Sequence, residues 1–113
     1  MRSIRIALFT AALGWLLSAC AAPAPQGEAI VISPGVEAHL KEYLRTMGSS
    51  NYGAFAVNAD GHHAYYVYCT DGGFCERVQL NFDALAGCKK LAGSECIVLA
   101  HNRTFLRPYR VAG

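Results

Sequence analysis

Gly53-Ala-Phe-Ala-Val-Asn-Ala-Asp-Gly-His-His-Ala-Tyr-Tyr-Val-Tyr-Cys69 is the stretch that decides the fold. From Gly53 to Asn58 small and large apolar side chains alternate. That is the two-residue period of a strand, and it puts Phe55 and Val57 on one face. Asn58-Ala59-Asp60-Gly61 is turn chemistry, because Asn and Asp side chains bond nearby backbone amides and Gly accepts positive φ. From His63 to Cys69 the chain is rich in tyrosine and in β-branched Val67, which suit a pleated, half-buried surface. Strand, turn and strand in succession predict an antiparallel hairpin.

Upstream, Ser33-Pro34 reads as a helix start, a hydroxyl N-cap followed by proline at the first helical position. Val36, Leu40, Tyr43, Leu44 and Met47 follow at helical spacing, Glu37 and Lys41 pair four apart, and Gly48 is a stop. The spacing predicts a helix over 34–47. Downstream, Thr70 to Gly73 is a loop leading to Cys75. Asn81 is placed to cap a second helix, with Asp83 in its first turn and Lys89 and Lys90 in its last, charges that complement the helix dipole. Leu85, Cys88 and Ala92 share a face with Leu91 beside them, so Leu85 is expected inside and Lys89 outside. Gly93 ends the helix, Cys96 to Ala100 is a third strand, and the tail from Phe105 to Val111 is a candidate edge strand. The order predicts a small α+β domain: an antiparallel sheet of about three strands, two helices on one face of it, and two disulfides.

The beginning of the chain reads as an address. Arg2 and Arg5 precede Ile6 to Leu17, an uncharged run of 12 residues. That is the charged and apolar pattern of an export signal, and it is short of the ~20 residues a membrane-spanning helix needs. The run ends Leu17-Ser18-Ala19-Cys20, which resembles the lipobox of bacterial lipoproteins. The resemblance implies a diacylglyceryl group on the Cys20 sulfur, cleavage between Ala19 and Cys20, and acylation of the new amino group. Several acyl chains make a firm anchor, since each buried methylene contributes ~0.8 kcal/mol. Ala21 stands where an Asp commonly retains such proteins in the inner membrane, so the same resemblance implies the outer membrane. The expected organisation is a signal peptide over 1–19, a lipid anchor and tether over 20–32, and a domain over 33–113. The tether is rich in Ala, Pro and Gly, and within it Ala29-Ile30-Val31-Ile32 has the composition of a short strand.

Lys and Arg number 10 and Asp and Glu 8. Without Arg2 and Arg5 the two are equal, so the composition makes no case for nucleic-acid binding. A domain this small buries only roughly 60% of its unfolded surface, so bracing is expected. Setting Cys20 aside leaves Cys69, Cys75, Cys88 and Cys96, an even count that implies two disulfides in an exported chain. Cys69–Cys75 with Cys88–Cys96 is favoured because each pair closes a short loop between predicted elements. Cys69–Cys88 with Cys75–Cys96, and Cys69–Cys96 with Cys75–Cys88, remain open.

Tyr52-Gly-Ala-Phe-Ala-Val57, Ala84-Leu-Ala-Gly-Cys88 and Gly93-Ser-Glu-Cys-Ile-Val98 together resemble a group of small exported bacterial domains of unknown function. The resemblance spans roughly residues 52–102. It implies the fold and the Cys88–Cys96 neighbourhood, and it implies no activity.

Few residues carry chemistry. His62, His63 and His101 are the candidate metal or catalytic histidines. Adjacent residues of a strand point to opposite faces, so only one of the pair can join His101. Two imidazoles fall short of the three or four protein ligands of a zinc site, and Asp60 or Asp71 would have to complete it. Cys69 and Cys75 do not have the Cys-x-x-Cys spacing of a redox pair. Tyr66 and Tyr68 share a strand face with Tyr65 on the other, one face for the core and one for recognition. Arg103, Arg107 and Arg110 form a basic tail, and Asn102-Arg103-Thr104 matches a glycosylation sequon. No catalytic residue, metal or cofactor is indicated. The expectation is therefore a membrane-anchored envelope lipoprotein that binds rather than catalyses. Its partners are membrane lipid, through Cys20, and an envelope protein or surface component, with Tyr65, Tyr66, Tyr68, Arg103, Arg107 and Arg110 as the candidate surface. The alternative is a small hydrolase or metal-dependent accessory enzyme using His63 or His101.

Overall fold

The computed structural model describes residues 27–49, 51–70 and 75–113. Cys20 and the lipobox, Asp71 and most of the loop after β3 lie outside them. In chain order the elements are β1 (Ile30–Ile32), α1 (Pro34–Met47), β2 (Tyr52–Asn58), β3 (Ala64–Cys69), α2 (Arg77–Ala92), β4 (Cys96–His101), β5 (Thr104–Phe105) and β6 (Tyr109–Val111). The class is α+β.

The Ser33 hydroxyl accepts the Val36 amide at 3.1 Å, which satisfies one of the orphan donors at the start of α1. Val36, Leu40, Tyr43 and Met47 recur at helical spacing and are all buried. They meet Phe55 and Val57 of β2, with Ile32, Leu99 and Ala100, in one core cluster. Each large apolar side chain buried there contributes about 1.5–3 kcal/mol.

The hairpin forms as the sequence predicts, with β2 and β3 antiparallel and Phe55 opposite Tyr66. β4 pairs with the other edge of β2, and β5 with β4, giving a sheet in the order β3-β2-β4-β5. Between Phe55 and Ala56 the register with β4 shifts by one residue, since Phe55 faces Ala100 while Ala56 faces Val98. This bulge lets consecutive Leu99 and Ala100 both enter the α1 core.

Four expectations change. First, α2 lies on the opposite face of the sheet from α1. Leu80, Ala84 and Cys88 pack on Ala54 and Ala56 in a second cluster. The small residues of β2 were half of its alternation, and they are where α2 approaches. Second, α2 begins at Arg77, so Asn81 lies inside it and caps nothing. Third, its buried line is Leu80, Ala84 and Cys88. Leu85 is only half-buried and Leu91 is 58% exposed. Lys89 is exposed, paired with Glu95 at 2.9 Å. Fourth, the folded body starts at Ile30 rather than at residue 33. β1 runs parallel to β6, Ile30 opposite Tyr109 and Ile32 opposite Val111. Ile32 is fully buried. A strand pairing between the two ends of a domain has no local sequence signature.

Both disulfides follow the favoured pairing. Cys69–Cys75 has Cα atoms 6.4 Å apart. Cys88–Cys96, with Cα atoms 6.1 Å apart, ties α2 to the start of β4.

Candidate binding face

β4 and β5 are joined by a tight turn at Asn102 and Arg103, flanked by the His101–Thr104 pair. Asn102 holds φ at +52°, a left-handed conformation that Asn tolerates better than most residues. Its surroundings fix it there. The Asn102 amide donates to the Gly53 carbonyl at 2.8 Å. The Gly53 amide donates to Asn102 Oδ1 at 3.0 Å. The Tyr43 hydroxyl donates to the Asn102 carbonyl at 2.6 Å. Burial pushes the Tyr43 phenol well above its ordinary pKa, so it stays a neutral donor.

Arg103 leaves this turn toward the end of α1. Its Nη1 donates to the Leu44 carbonyl at 2.7 Å and to the Gly48 carbonyl at 3.4 Å. A guanidinium thereby satisfies carbonyls at the helix C-terminus and complements the negative end of its dipole. Asn51 Nδ2 donates to the Thr46 carbonyl at 2.7 Å. Between these groups lies an open hollow of about 280 Å³, lined by Ser49, Asn51, Tyr52, Asn102, Arg103 and Thr104 among others. Tyr52 is 45% exposed. Tyr68, 51% exposed, stands opposite Gly53 on β3. An aromatic ring, amides, a hydroxyl and a positioned guanidinium are groups that bind sugars, carboxylates and peptide backbone. From sequence, Asn51 carries no signal, and Tyr52 and Asn102 enter only through the resemblance motif and the sequon, not as site residues. Asn102-Arg103 between two apolar segments was the available turn signal.

The tyrosines expected to act together do not. Tyr66 is a core residue, 5.4 Å from the Tyr43 ring and 6.2 Å from that of Phe55. Tyr65 lies against Gly87 of α2, where its ring occupies the space of a side chain. Tyr68 is the exposed member on the Tyr66 face. The arginines separate likewise. Arg103 caps α1. Arg107 Nη2 donates to the Glu28 carbonyl at 2.8 Å. Arg110 is exposed on β6, opposite Val31 of β1. They do not form one basic patch.

Nor is His101 brought to His62 or His63. His101 Nδ1 lies 3.2 Å from Asn81 Oδ1, on the α2 side of the sheet. Burial, helped by Arg77, lowers its pKa. His63 lines a different hollow with Ser33, Gly35 and His39, at the start of α1. His62 sits beside it, its amide bonded to Asp60 Oδ1 at 2.9 Å. That amide, with both nearby imidazoles, holds the Asp60 carboxyl below its usual range. Among the described residues no group of three His, Cys, Asp or Glu side chains is placed to hold a metal ion.

Comparison with protein-family models, with curated proteins and with solved structures finds no match to this chain.

Proposed function

We propose that this chain is a lipid-anchored protein of the bacterial cell envelope, held in the outer membrane through acylated Cys20 and facing the periplasm. Its domain is a non-enzymatic binding module that meets an envelope protein or surface component at the hollow beside the end of α1. The observation that carries the reading is the disposition of the cysteines. Four of the five are paired within the domain, which suits an oxidising compartment. The fifth, Cys20, ends the apolar run in a lipobox sequence. Tyr52 and Arg103 support the hollow as the binding site, one offering an exposed ring and the other a guanidinium held in place. A hydrolytic or metal-dependent role would require His63, beside Asn58 at one end of β2, and His101, opposite Ala54 near the other, to act separately.

The test begins at the anchor. Cys20→Ser should leave unprocessed precursor and abolish labelling by radioactive palmitate. A variant that still matures and stays membrane-bound sinks the reading. In the wild-type background, a photo-crosslinking side chain at Tyr52 should capture an envelope component. The same group at Lys41, exposed on α1, should not.

A further inference from the structure

α2 carries a second apolar line besides the one that packs on the sheet. Val78, Phe82, Leu85 and Lys89 follow one another at intervals of four, three and four residues. That is the spacing of a coiled-coil seam. It lies about a third of a turn round the helix from the buried line of Leu80, Ala84 and Cys88. Among the described residues Val78 and Phe82 are the most exposed large apolar side chains, at 79% and 65%. Leu85 is half-buried and Lys89 exposed. Beside the seam lies an open hollow of about 310 Å³, lined by Phe82, Leu85, Ala86, Lys89, Glu95 and Cys96. A single exposed apolar side chain is ordinary, but a row of them beside a hollow marks an interaction surface.

The charges at the two ends of α2 select the partner. Glu76 and Arg77 stand at its start, Lys89, Lys90 and Glu95 at its finish, and all five are exposed. By the helical period Arg77 falls on the side of the seam toward Cys88, and the Cys88–Cys96 bond brings Glu95 to that same side. Glu76 and Lys90 fall on the other side. A second α2 laid antiparallel across the seam, about a two-fold axis, keeps each side facing its own kind. Arg77 then meets Glu95 of the second copy, and Glu76 meets Lys90. Glu95 holds Lys89 of its own chain through Oε1 at 2.9 Å, which leaves its other oxygen for the incoming guanidinium. Along the seam Val78 lies on the Lys89 stem and Phe82 on Leu85, and the symmetry repeats each contact. A parallel pair would instead set Arg77 beside Arg77 and Lys90 beside Lys90. The antiparallel pair also opposes the two helix dipoles favourably.

We infer that α2 is a self-association surface, on which two copies of this chain pack antiparallel as an isologous pair. Neither the anchor nor the hollow beside the end of α1 enters into it, so either can fail without the other.

The chain purified from cells in mild detergent provides the test. With p-benzoylphenylalanine in place of Val78, irradiation should give a band of twice the chain's mass. Peptide mapping should join position 78 to the segment from Lys89 to Cys96 of a second copy. The same group at Lys41 on α1 should leave a single band. Arg77→Glu should lower the yield of the double band about fivefold, since two exposed ion pairs are lost at once, and adding Glu95→Arg should restore it. Phe82 is exposed, so Phe82→Ser should keep the thermal midpoint of the domain and leave the chain monomeric in sedimentation. A single band with the group at Val78, a bridge from position 78 to position 78, or a bridge to lipid or to another protein overturns the antiparallel pair.

Discussion

Gly61 sits at φ +75° in the turn between β2 and β3. Its amide donates to the Asn58 carbonyl at 3.0 Å and its carbonyl accepts from Ser33 at 2.9 Å. A Cβ at this position would strike the Val31 carbonyl of β1. Gly93, at the end of α2, holds φ +69° but has open space around it. Gly93→Ala should therefore cost about 1 kcal/mol, the backbone effect alone. Gly61→Ala adds a collision with rigid backbone and should cost about 3 kcal/mol or more. Urea denaturation of the two variants tests the order, and equal losses would mean that β1 does not crowd the turn. The turn itself was legible in Asn58 to Gly61, whose chemistry is local. The contact with Val31 was not, because its partner arrives from a distant part of the chain. Arg103 makes the same point at the binding face. It reads as one cation of a basic tail, and it becomes the cap of a helix 59 positions upstream.

The two helices differ in how they start. α1 announces itself through Ser33, Pro34 and an apolar stripe, and each signal lies within the helix or one residue before it. α2 has Glu76 at its N-cap, extended in conformation, with no side-chain bond to the helix amides. A glutamate side chain is a poor cap, so the true start carries no signal. Asn81, a good cap by type, attracts the assignment and spends its side chain on His101 instead. The misplaced start, together with apolar residues on the outer face such as Val78 and Phe82, hid the line of Leu80, Ala84 and Cys88. Glu76→Asp shortens the side chain to capping length and keeps the charge at the positive end of the dipole. It should stabilise the domain by about 0.5–1 kcal/mol, read as a raised midpoint in thermal unfolding. No change, or a loss, would mean that Glu76 does more in the loop than cap a helix.

At the level of the molecule, the hairpin, the α+β class and both disulfides were legible, since they follow from period, order and loop closure. Placement of the helices on opposite faces was not. It depends on Ala54 and Ala56, whose small side chains read equally well as the buried or the exposed half of a strand. The β1–β6 pairing was hidden more deeply, and it decides where the domain begins. Ile32→Ala should cost about 2–5 kcal/mol, the range for truncation in a packed core. A chain cut to begin at Ser33 should fail to give a cooperative urea transition, whereas one beginning at Gly27 should fold. Cooperative unfolding of the shorter chain would make β1 an accessory. Each disulfide adds about 2.5 kcal/mol by the loop-entropy estimate, and neither replaces the seal that β1 makes.

That seal also has a direction. β1 and β6 run the same way, bonded from Ile30 and Pro108 at one end to Ile32 and Ala112 at the other. A pull on the segment before β1, against a hold on the residues after β6, drags the two strands past each other lengthwise. Their backbone hydrogen bonds then share the load and must give way together, instead of parting one at a time like the teeth of a zip. This three-residue pairing is thus arranged to bear tension along the chain, and its strength under force is set by the rate at which that shared grip is lost.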